Sequence, residues 1–447
     1  MNYELLKKAI EDEAKLQGLT EYEIYYMSNE ELSVDTLNKE PNSFSAGVSG
    51  GICFRALHDG KMGYASTELM EEDEMKSLVR RAKANAEATE KADTVGIFGG
   101  SESYAALENQ GFAPAGAAEL KKLTKELAEE IYAASDKVTG GTATYGITAG
   151  FEVCLSNSHG LDLSTKCGIN AIQLGAVICD DGKYENEYNI KELKGDVDLK
   201  ALAKKTVDDA ILKANAGLVE TGKYNVVLDA KQMRTMLSVY SSAFSAKMAQ
   251  MGMSLLAGKE GEKIASDIVT ITDDPMREGV SIQTNFDAEG VAAFRKSVVE
   301  GGVLKTLLHN RETAAIAGVE STANASKGSY ASPVAISPYA FCLEAGDKSE
   351  AELLQMAGDG IYITELKGLH AGANPITGDF SLESAGFRIK DGKLGEAVKS
   401  FTVAGNFFEL LKSISALSDE VEVAITGGFT TFGAPAVLIR DMSIAGK

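Results

Sequence analysis

The chain has 447 residues, 44% of them hydrophobic, which is enough for two ordinary domains with separate cores. Its 44 Lys and Arg residues are outnumbered by 65 Asp and Glu residues. The net charge of -21 disfavours direct binding to nucleic acid, because phosphates attract cationic side chains. No apolar run approaches the roughly 20 residues of a membrane span, and the amphipathic N-terminus lacks a signal core. These features predict a cytoplasmic protein without a membrane partner.

The N-terminal half, residues 1–217, is predicted to be an α+β domain made of two helix–meander–helix units. The first unit covers about 1–91, and its predicted elements are a helix Tyr3–Gln17, strands Glu23–Ser28, Glu31–Leu37, Ala46–Leu57 and Lys61–Ser66, and a helix Glu71–Lys91 with Thr67 as a candidate cap. The second covers about 118–217, with a helix Ala118–Ser135, strands Thr142–Ser156, Leu161–Cys179 and Lys183–Ile190, and a helix Leu199–Gly217. The segment Ala92–Ala117 between them, rich in Gly, Ala and Ser, is typical of a linker.

Five cysteines, an odd number without a Cys-x-x-Cys pair, predict no disulfide framework. Cys154, His159 and Cys167 lie near one another in sequence, but their spacing matches no standard zinc pattern. Cysteines in β-runs are more often buried core residues. We therefore expect no metal at these three residues.

Residues 218–447 are predicted to form a β-rich C-terminal domain. Its elements are predicted as a helix Gln232–Met251 with an apolar stripe, a helix Ser349–Ala357, and strands Tyr224–Leu228, Lys263–Thr272, Val303–Leu308, Ser337–Glu344, Ile361–Ile363, Val421–Ile425 and Ala436–Ile439. Asp273-Asp274-Pro275 is more typical of a turn than of a cation site.

The stretch Gly358–Phe408 concentrates turn residues and candidate reactive groups. Phe380–Ile389 and Glu396–Val403 are predicted to pair as a hairpin through a turn at 390–393, and Gly405-Asn406 to open a helix. Polar side chains crowd the predicted loop before the hairpin: Glu365, His370, Asn374, Thr377 and Asp379. Such loops on a rigid sheet often carry function.

Two interpretations of this loop follow from the residues alone. His370 with Glu365 or Asp379 would suffice as a general acid–base pair if the loop folds back. Alternatively, His370 and Asp379 fix the loop by hydrogen bonds to the backbone, which is the favoured interpretation because sequence spacing alone does not identify catalytic groups with perturbed pKa values. The chain contains no phosphate-binding loop, no G-x-G-x-x-G after a strand, no G-x-S-x-G elbow and no H-E-x-x-H.

Several segments resemble the TldD/PmbA family, which is classed with the peptidases and is also known as modulator of DNA gyrase. They are KYNVVLDAKQM, LAGKEGEKIASDIVTITDDP, NFDAEGV and the long run GIYITELKGLHAGANPITGDFSLESAGFRIKDGKLGEAVKSFTVAGNFFELLKSI. The resemblance spans Gly222 to the C-terminus closely and the N-terminal half in element order. It implies the α+β architecture described above.

The family has a TldD-like branch, with an H-E-x-x-x-H zinc motif and a late cysteine ligand, and a PmbA (TldE) branch without them. Alignment on AGKEGEKIASD places the motif at about Leu237–Ser242, where no His or Glu occurs. The late ligand falls near Thr426–Phe429, where there is no Cys. The resemblance therefore implies a PmbA/TldE-like chain that holds no zinc itself, with zinc expected only in a TldD-like partner.

In the family this branch pairs with a TldD-like subunit to form a peptidase of unfolded or short peptides, and related chains pair with themselves. We expect the hairpin Phe380–Val403 to offer a sheet edge for an extended peptide. Close backbone approach would be allowed by Gly378, Gly386 and Gly405. The predicted peptide-binding residues are Glu365, His370, Asn374, Thr377, Asp379, Gly405 and Asn406.

Two alternatives stay open. One is a homodimeric peptide- or ligand-binding protein without protease activity, and the other is a metal-free hydrolase that uses His370 and Asp379. The gyrase name implies an indirect link to DNA, through turnover of a protein that acts on gyrase, because the net charge of -21 disfavours direct contact.

Overall fold

The computed structural model describes residues 3–107, 112–427 and 430–447. The helices in chain order are α1 (Tyr3–Leu16), α2 (Glu72–Ala88), α3 (Ala117–Ala134), α4 (Leu199–Ala214), α5 (Ala230–Tyr240), α6 (Ala246–Gln250), α7 (Arg311–Ala317), α8 (Glu350–Ala357), α9 (Leu369–Gly372) and α10 (Phe407–Ser413). Within the described residues, none of the helices is long and apolar enough to cross a membrane.

The strands of the N-terminal half are β1 (Glu21–Leu37), β2 (Glu40–His58), β3 (Lys61–Thr67), β4 (Ala143–Asn157), β5 (Asp162–Asp180) and β6 (Lys183–Glu192). Those of the C-terminal half are β7 (Gly222–Leu228), β8 (Ile271–Asp273), β9 (Lys296–Glu300), β10 (Val303–Leu304), β11 (Ala325–Ser326), β12 (Ala335–Ile336), β13 (Ala340–Leu343), β14 (Gly360–Lys367), β15 (Asp379–Lys390), β16 (Lys393–Asn406), β17 (Ile414–Leu417), β18 (Glu422–Gly427), β19 (Thr430–Ala434) and β20 (Val437–Ala445). The mixed α+β class expected from the sequence is confirmed.

The two N-terminal units share one antiparallel sheet, in the order β3-β2-β1-β4-β5-β6. Strand β1 joins them, because it pairs with β2 along its whole length and with β4 from Glu23 to Leu37. The division of this region into strands Glu23–Ser28 and Glu31–Leu37 is therefore wrong. Hydrogen-bonded pairing with β2 on one side and β4 on the other keeps the polar residues between the two predicted strands in an extended conformation.

All four N-terminal helices lie on one face of this sheet. Leu6 and Ile10 of α1 pack against Ile24 and Phe54, while Leu127 of α3 belongs to the core cluster under α4. Thr67 does not cap α2, because it ends β3 and its Oγ1 accepts from the Leu69 N–H. The described residues place no helix on the opposite face of the sheet, which packs on the C-terminal half.

The segment between the two units ties the domains together. The Tyr104 hydroxyl donates to the Gly290 carbonyl at 2.7 Å, and Asn285 Nδ2 donates to the Ala105 carbonyl at 2.6 Å. Part of the predicted linker, 108–111, lies outside the described residues. The remainder is irregular in backbone but anchored by these bonds to the C-terminal domain.

The C-terminal half contains two larger sheets. One has the order β10-β9-β8-β13-β19-β18, and the other the order β16-β15-β14-β7-β20-β17 with an added pairing of β16 to β20. That pairing closes β16, β15, β14, β7 and β20 into a ring. The main core lies between the two sheets and includes α5 and α10.

The predicted helix Gln232–Met251 is interrupted. It forms α5, then a 3-10 turn at Ser241–Phe244, then α6. The break occurs because two backbone groups bond to Leu308 instead of within the helix. The Phe244 carbonyl accepts from the Leu308 N–H at 2.8 Å, and the Ala246 N–H donates to the Leu308 carbonyl at 2.9 Å. The apolar stripe is real, but the tertiary contact with Leu308 decides where the helix ends.

Three predicted strands are also shorter than expected. Lys263–Thr272, Val303–Leu308 and Ser337–Glu344 reduce to β8, β10 and β13. Ile264 and Ser266, within the first of them, donate their N–H groups to the Gly302 and Leu411 carbonyls. The apolar residues of these segments that are buried, such as Ile264 and Val269, are buried outside a strand ladder, because burial does not require one.

Candidate functional site

The loop Leu369–Asp379 is organised by its own polar side chains. Asn374 Oδ1 accepts from the Ile376 and Thr377 N–H groups, at 3.0 and 3.3 Å. The Asn374 N–H donates to the Asp379 carbonyl at 2.8 Å. These bonds are the side-chain-to-backbone pattern of an Asx turn. Asn374, Thr377 and Asp379 are thus brought together as the sequence predicts.

Asp379 and Asn406 join the loop to the hairpin. Asn406 Nδ2 donates to Asp379 Oδ1 at 3.0 Å and to the Thr377 carbonyl at 2.8 Å, while its Oδ1 accepts from the Phe408 N–H. Hydrogen bonds from Asn406 and Thr377 lower the pKa of Asp379. Asp379 is therefore a carboxylate at neutral pH, and that state cannot donate a proton.

His370 lies in the short helix α9 and is exposed. No hydrogen bond joins His370 to Asp379 or Glu365 in the part of the chain that the structure describes. The expected acid–base pair is therefore not assembled in this conformation. The hydrogen bonds of Asp379 match the loop-organising interpretation instead.

The glycines of this region allow close packing within the protein. A Cβ added to Gly386 would lie 1.9 Å from the Tyr362 carbonyl oxygen, and one on Gly405 would lie 3.0 Å from the Phe380 ring. Gly378 has a φ of +80° and faces Asn406 and Phe408. Small size at these positions is thus explained by internal contacts, and no peptide is needed to account for it.

Glu365 is not in the loop, which corrects the expectation from the sequence. It lies in β14, where its Oε2 is 3.0 Å from Lys213 Nζ, and Lys213 also pairs with Glu187. A second ion pair, Lys399 to Glu185 at 3.0 Å, lies close by. These pairs join α4 and β6 to the C-terminal sheet, a connection that no sequence spacing reveals.

A cleft of about 530 Å³ opens beside these ion pairs, between α4 and the C-terminal sheet. We call it the interdomain cleft. Its wall includes Asp229, Glu350, Glu422 and Lys231. The cleft is large enough for several residues of an extended chain. Its charged wall was not identified from the sequence.

Asp229 is the most perturbed of these groups. Its Oδ1 accepts from the Gln232 N–H at 2.6 Å, so it caps α5, and burial raises its pKa to about 7. The nearby carboxylates of Glu422 and Glu350 act in the same direction. An Asp before a helix is a recognisable cap in sequence, but its burial is a tertiary property.

Two of the six residues at Leu237–Ser242 are packed into the core, and the last two lie in the 3-10 turn after α5. Leu237 and Tyr240 are fully buried, and the Tyr240 ring stacks on Phe407 with centroids 4.4 Å apart. The Tyr240 hydroxyl donates to the Asp379 carbonyl at 2.8 Å, which ties α5 to the loop. Leucine and serine are not zinc ligands, so these residues do not fit a zinc ion.

No group of three or more His, Cys, Asp or Glu side chains suited to a metal occurs among the described residues. The predicted location of the late ligand, Thr426–Phe429, includes residues 428 and 429, which lie outside them. Cys154 and Cys167 lie on opposite faces of the N-terminal sheet, one near Tyr3 and the other facing the C-terminal domain. Burial raises the pKa of both thiols to about 12.

The expected peptide edge on the hairpin is covered, which is a further correction. Thr402–Ala404 of β16 pair with Ser443–Ala445 of β20, and Gly217 bonds to Ala397 and Lys399. An open edge occurs elsewhere, on β2. Only Ile52–His58 of that strand pair with β3, so Glu40–Gly51 have a partner on one side alone among the described residues.

Sequence reasoning also missed a buried polar cluster at Asp273. This carboxylate is fully buried and accepts from Lys296 Nζ, Asn324 Nδ2 and the Tyr339 and Ala340 N–H groups. Hydrogen bonds from these four donors offset the free-energy cost of burying the charge of Asp273. The only sequence signal is Asp273-Asp274-Pro275, which indicates a turn but not a buried carboxylate.

Solved structures define the class of fold. The chain is similar to a proposed modulator of a DNA gyrase from Thermotoga maritima, with a TM-score of 0.89, 27% identity, and coverage of 99% of this chain and 100% of the other. It also shares the fold of TldE from Thermococcus kodakarensis, with a TM-score of 0.82, 23% identity, and coverage of 98% and 100%. Both matches extend over the two domains.

Family models and relatives give the particular family. The model for the PmbA/TldA metallopeptidase C-terminal domain matches residues 221–446, and the model for domain 1 matches residues 22–86. An uncharacterized protein of Methanocaldococcus jannaschii is 30% identical over 89% of this chain and 92% of its own length. A metalloprotease PmbA homolog of Haemophilus influenzae is 24% identical over 93% and 90%. The chain belongs to the PmbA/TldD metallopeptidase family.

Proposed function

We propose that this chain is a subunit without zinc of a two-chain metallopeptidase that acts on unfolded or short peptides. The observation that supports it most is the content of the helix at Leu237–Ser242. Leu237 and Tyr240 occupy the core there, so the helix contributes packing where a zinc-binding branch of the family would contribute ligands. Zinc and the catalytic groups would then belong to a TldD-like partner.

Contact with a partner chain is supported by the open edge of β2. Its residues from Pro41 to Ser49 are all exposed and carry no charge, and Phe44 and Val48 are 51% and 75% exposed. Natural sheet edges are usually protected by charged side chains, bulges or covering segments. A strand of the partner subunit added to this edge would satisfy its free N–H and C=O groups.

Peptide binding is assigned to the interdomain cleft. The cleft presents Asp229, Glu350 and Glu422 on one wall, with Lys213 and Lys231 near them. The loop Leu369–Asp379 has the role of holding β15 in place, because Tyr240 and Asn406 fix it.

The test is reconstitution. The purified chain with added zinc should not cleave a disordered peptide, whereas the chain together with a TldD-like subunit carrying H-E-x-x-x-H should cleave it. Cleavage by each subunit alone is the control. Robust cleavage by this chain without a partner would contradict the proposal.

A homodimeric binding protein is the competing function, favoured by the same open edge of β2. Native mass spectrometry of the complex recovered from cells separates the two. A partner with the zinc motif in equal amount supports the subunit role, and two copies of this chain support the competitor. His370→Ala in the reconstituted enzyme tests the hydrolase alternative, and unchanged activity removes it.

A further inference from the structure

A second cavity, of about 80 Å³, lies where the helix-free face of the N-terminal sheet meets the C-terminal domain. Its walls include the aromatic side chains of Tyr25, Phe151, Phe286 and Tyr339 among aliphatic and polar residues. We call it the aromatic cavity. Aromatic walls offer apolar contact to a ligand of a few carbon atoms, so the polar groups in the wall decide which ligand fits.

Lys327 is the cationic side chain in that wall. It is only 7% exposed, and its Nζ lies over the Tyr25 ring, 4.9 Å from the centroid. Among the residues that the structure describes, no carboxylate forms an ion pair or a hydrogen bond with Lys327. Burial lowers the pKa of Lys327, and the Cys53 thiol beside it is a weak partner.

The neighbouring charged groups already have hydrogen-bond partners. Glu23 holds Arg55 by two hydrogen bonds of 2.7 and 2.8 Å. Asp287, in the cavity wall, accepts from the backbone N–H groups of Glu289, Val291 and Ala325 at 2.9 to 3.0 Å. Burial raises the pKa of Asp287 to about 7. Lys327 is thus a buried ammonium group that lacks the anion such groups normally require.

We propose that the aromatic cavity binds a carboxylate with an apolar body, with the carboxylate on the Lys327 ammonium and the body between the aromatic walls. Two sources share this chemistry: a free monocarboxylate, and the C-terminal residue of a peptide. The assignment is independent of the proposed subunit role, because it requires neither zinc nor a partner chain.

The test compares butyrate with butyramide, which has the same shape without the charge, by calorimetric titration of the full chain. Butyrate should bind saturably, and the amide should bind about tenfold more weakly or worse, because a hydrogen bond to a charged group is lost. Absence of saturable binding, or equal affinity for the acid and the amide, would overturn the proposal.

Variants then locate the site. Lys327→Met keeps most of the apolar stem and should lose butyrate binding by the same factor, while Lys393→Met, at an exposed hairpin turn, should bind like the unaltered chain. Unchanged butyrate affinity in folded Lys327→Met would overturn the assignment. If that variant does not fold, the comparison of acid and amide with the unaltered chain decides the matter.

The source is distinguished by a three-residue peptide that ends in valine, prepared with a free carboxylate and with a C-terminal amide. Binding of the free acid alone, in competition with butyrate, supports a peptide C-terminus as the ligand. Binding of butyrate but of neither peptide supports a small monocarboxylate at the same lysine.

Discussion

Asp229 caps α5 from a buried position, and its protonation is coupled to folding. Its pKa in the folded chain is about 7, against an ordinary value of 3.8, because burial and nearby carboxylates disfavour the charge. A raised folded pKa means that the folded state binds the proton more tightly. The stability due to this group is fully present below the unfolded pKa and is lost as pH rises through the folded pKa.

The Asp229→Asn variant should remove that pH-dependent loss of stability, because the Asn side chain does not titrate. Asn is also a good helix cap, so the start of α5 should stay intact. The free energy of unfolding of the variant, minus that of the unaltered chain, should be larger at pH 8 than at pH 4. Urea denaturation of both proteins at the two pH values measures this difference. A difference that stays constant with pH would contradict the assignment of the shift to Asp229.

Tyr240 links the helix α5 to the loop at Asp379 through one partly buried hydrogen bond. The Tyr240→Phe variant keeps the ring stacked on Phe407 but removes the donor, so we expect a loss of about 0.5–1.5 kcal/mol in stability. The matched control is Tyr224→Phe, whose hydroxyl bonds to the Glu220 carbonyl in a position open to solvent. Equal, negligible losses in both variants by urea denaturation would argue against the link.

At the residue scale, the sequence predicted the loop better than the ion pairs. Asn374, Thr377 and Asp379 were expected together, and they meet, because Asn-Pro and Gly act within a few residues of chain. Glu365 was expected in the same loop but pairs with Lys213, which is 152 positions away. Contacts over such a separation depend on how the domains pack.

The helix α5 is the element on which the functional argument depends. Leu237 has no exposed surface, so Leu237→Ala should destabilise the chain by about 2–5 kcal/mol through lost contacts and the remaining cavity. Leu255→Ala, at a 46% exposed position, is the control and should change stability by about 0.5 kcal/mol or less. Thermal or urea unfolding gives both values, and similar small effects would show that α5 is not a packed element.

The open edge of β2 predicts where a partner chain binds. Val48→Lys places a charge on this edge, and since Val48 is 75% exposed we expect the stability to change by about 0.5 kcal/mol or less. The complex with a partner or second copy should nevertheless be lost in size-exclusion chromatography. Val319→Lys, 54% exposed on another surface, is the control. A complex that survives Val48→Lys would place the partner contact elsewhere.

Strand pairing shows what periodicity can and cannot determine. The hairpin of β15 and β16 was predictable, because its turn at Asp391-Gly392 and its alternation are local. The pairing of β16 with β20 was not, since it closes a ring between segments about 40 residues apart. For the same reason the expected peptide edge proved to be covered.

At the scale of the whole molecule, Lys213 joins the two domains by contacting both Glu187 and Glu365. The Lys213→Met variant leaves the half-buried carboxylate of Glu187 without its cation and leaves Glu365 with only the exposed Lys367 at 3.6 Å, so we expect a loss of about 2 kcal/mol. Lys205→Met, which removes only an exposed helix pair with Asp209, is the matched control and should cost about 0.5 kcal/mol or less. Denaturation at low and high salt measures both, and equal effects would contradict a role between the domains.

The sequence by itself determined the composition of the chain, most helices and hairpins, the α+β class and the family resemblance, because these depend on local spacing and on motif residues. It also determined that Leu237–Ser242 contain no imidazole or carboxylate. Tertiary structure alone decided the single sheet through β1, the break after α5, the covered edge of β16, and the pairing of Glu365. It also buried Lys327 without an anion. Each of these depends on contacts between distant segments, whose burial and charge no local pattern encodes.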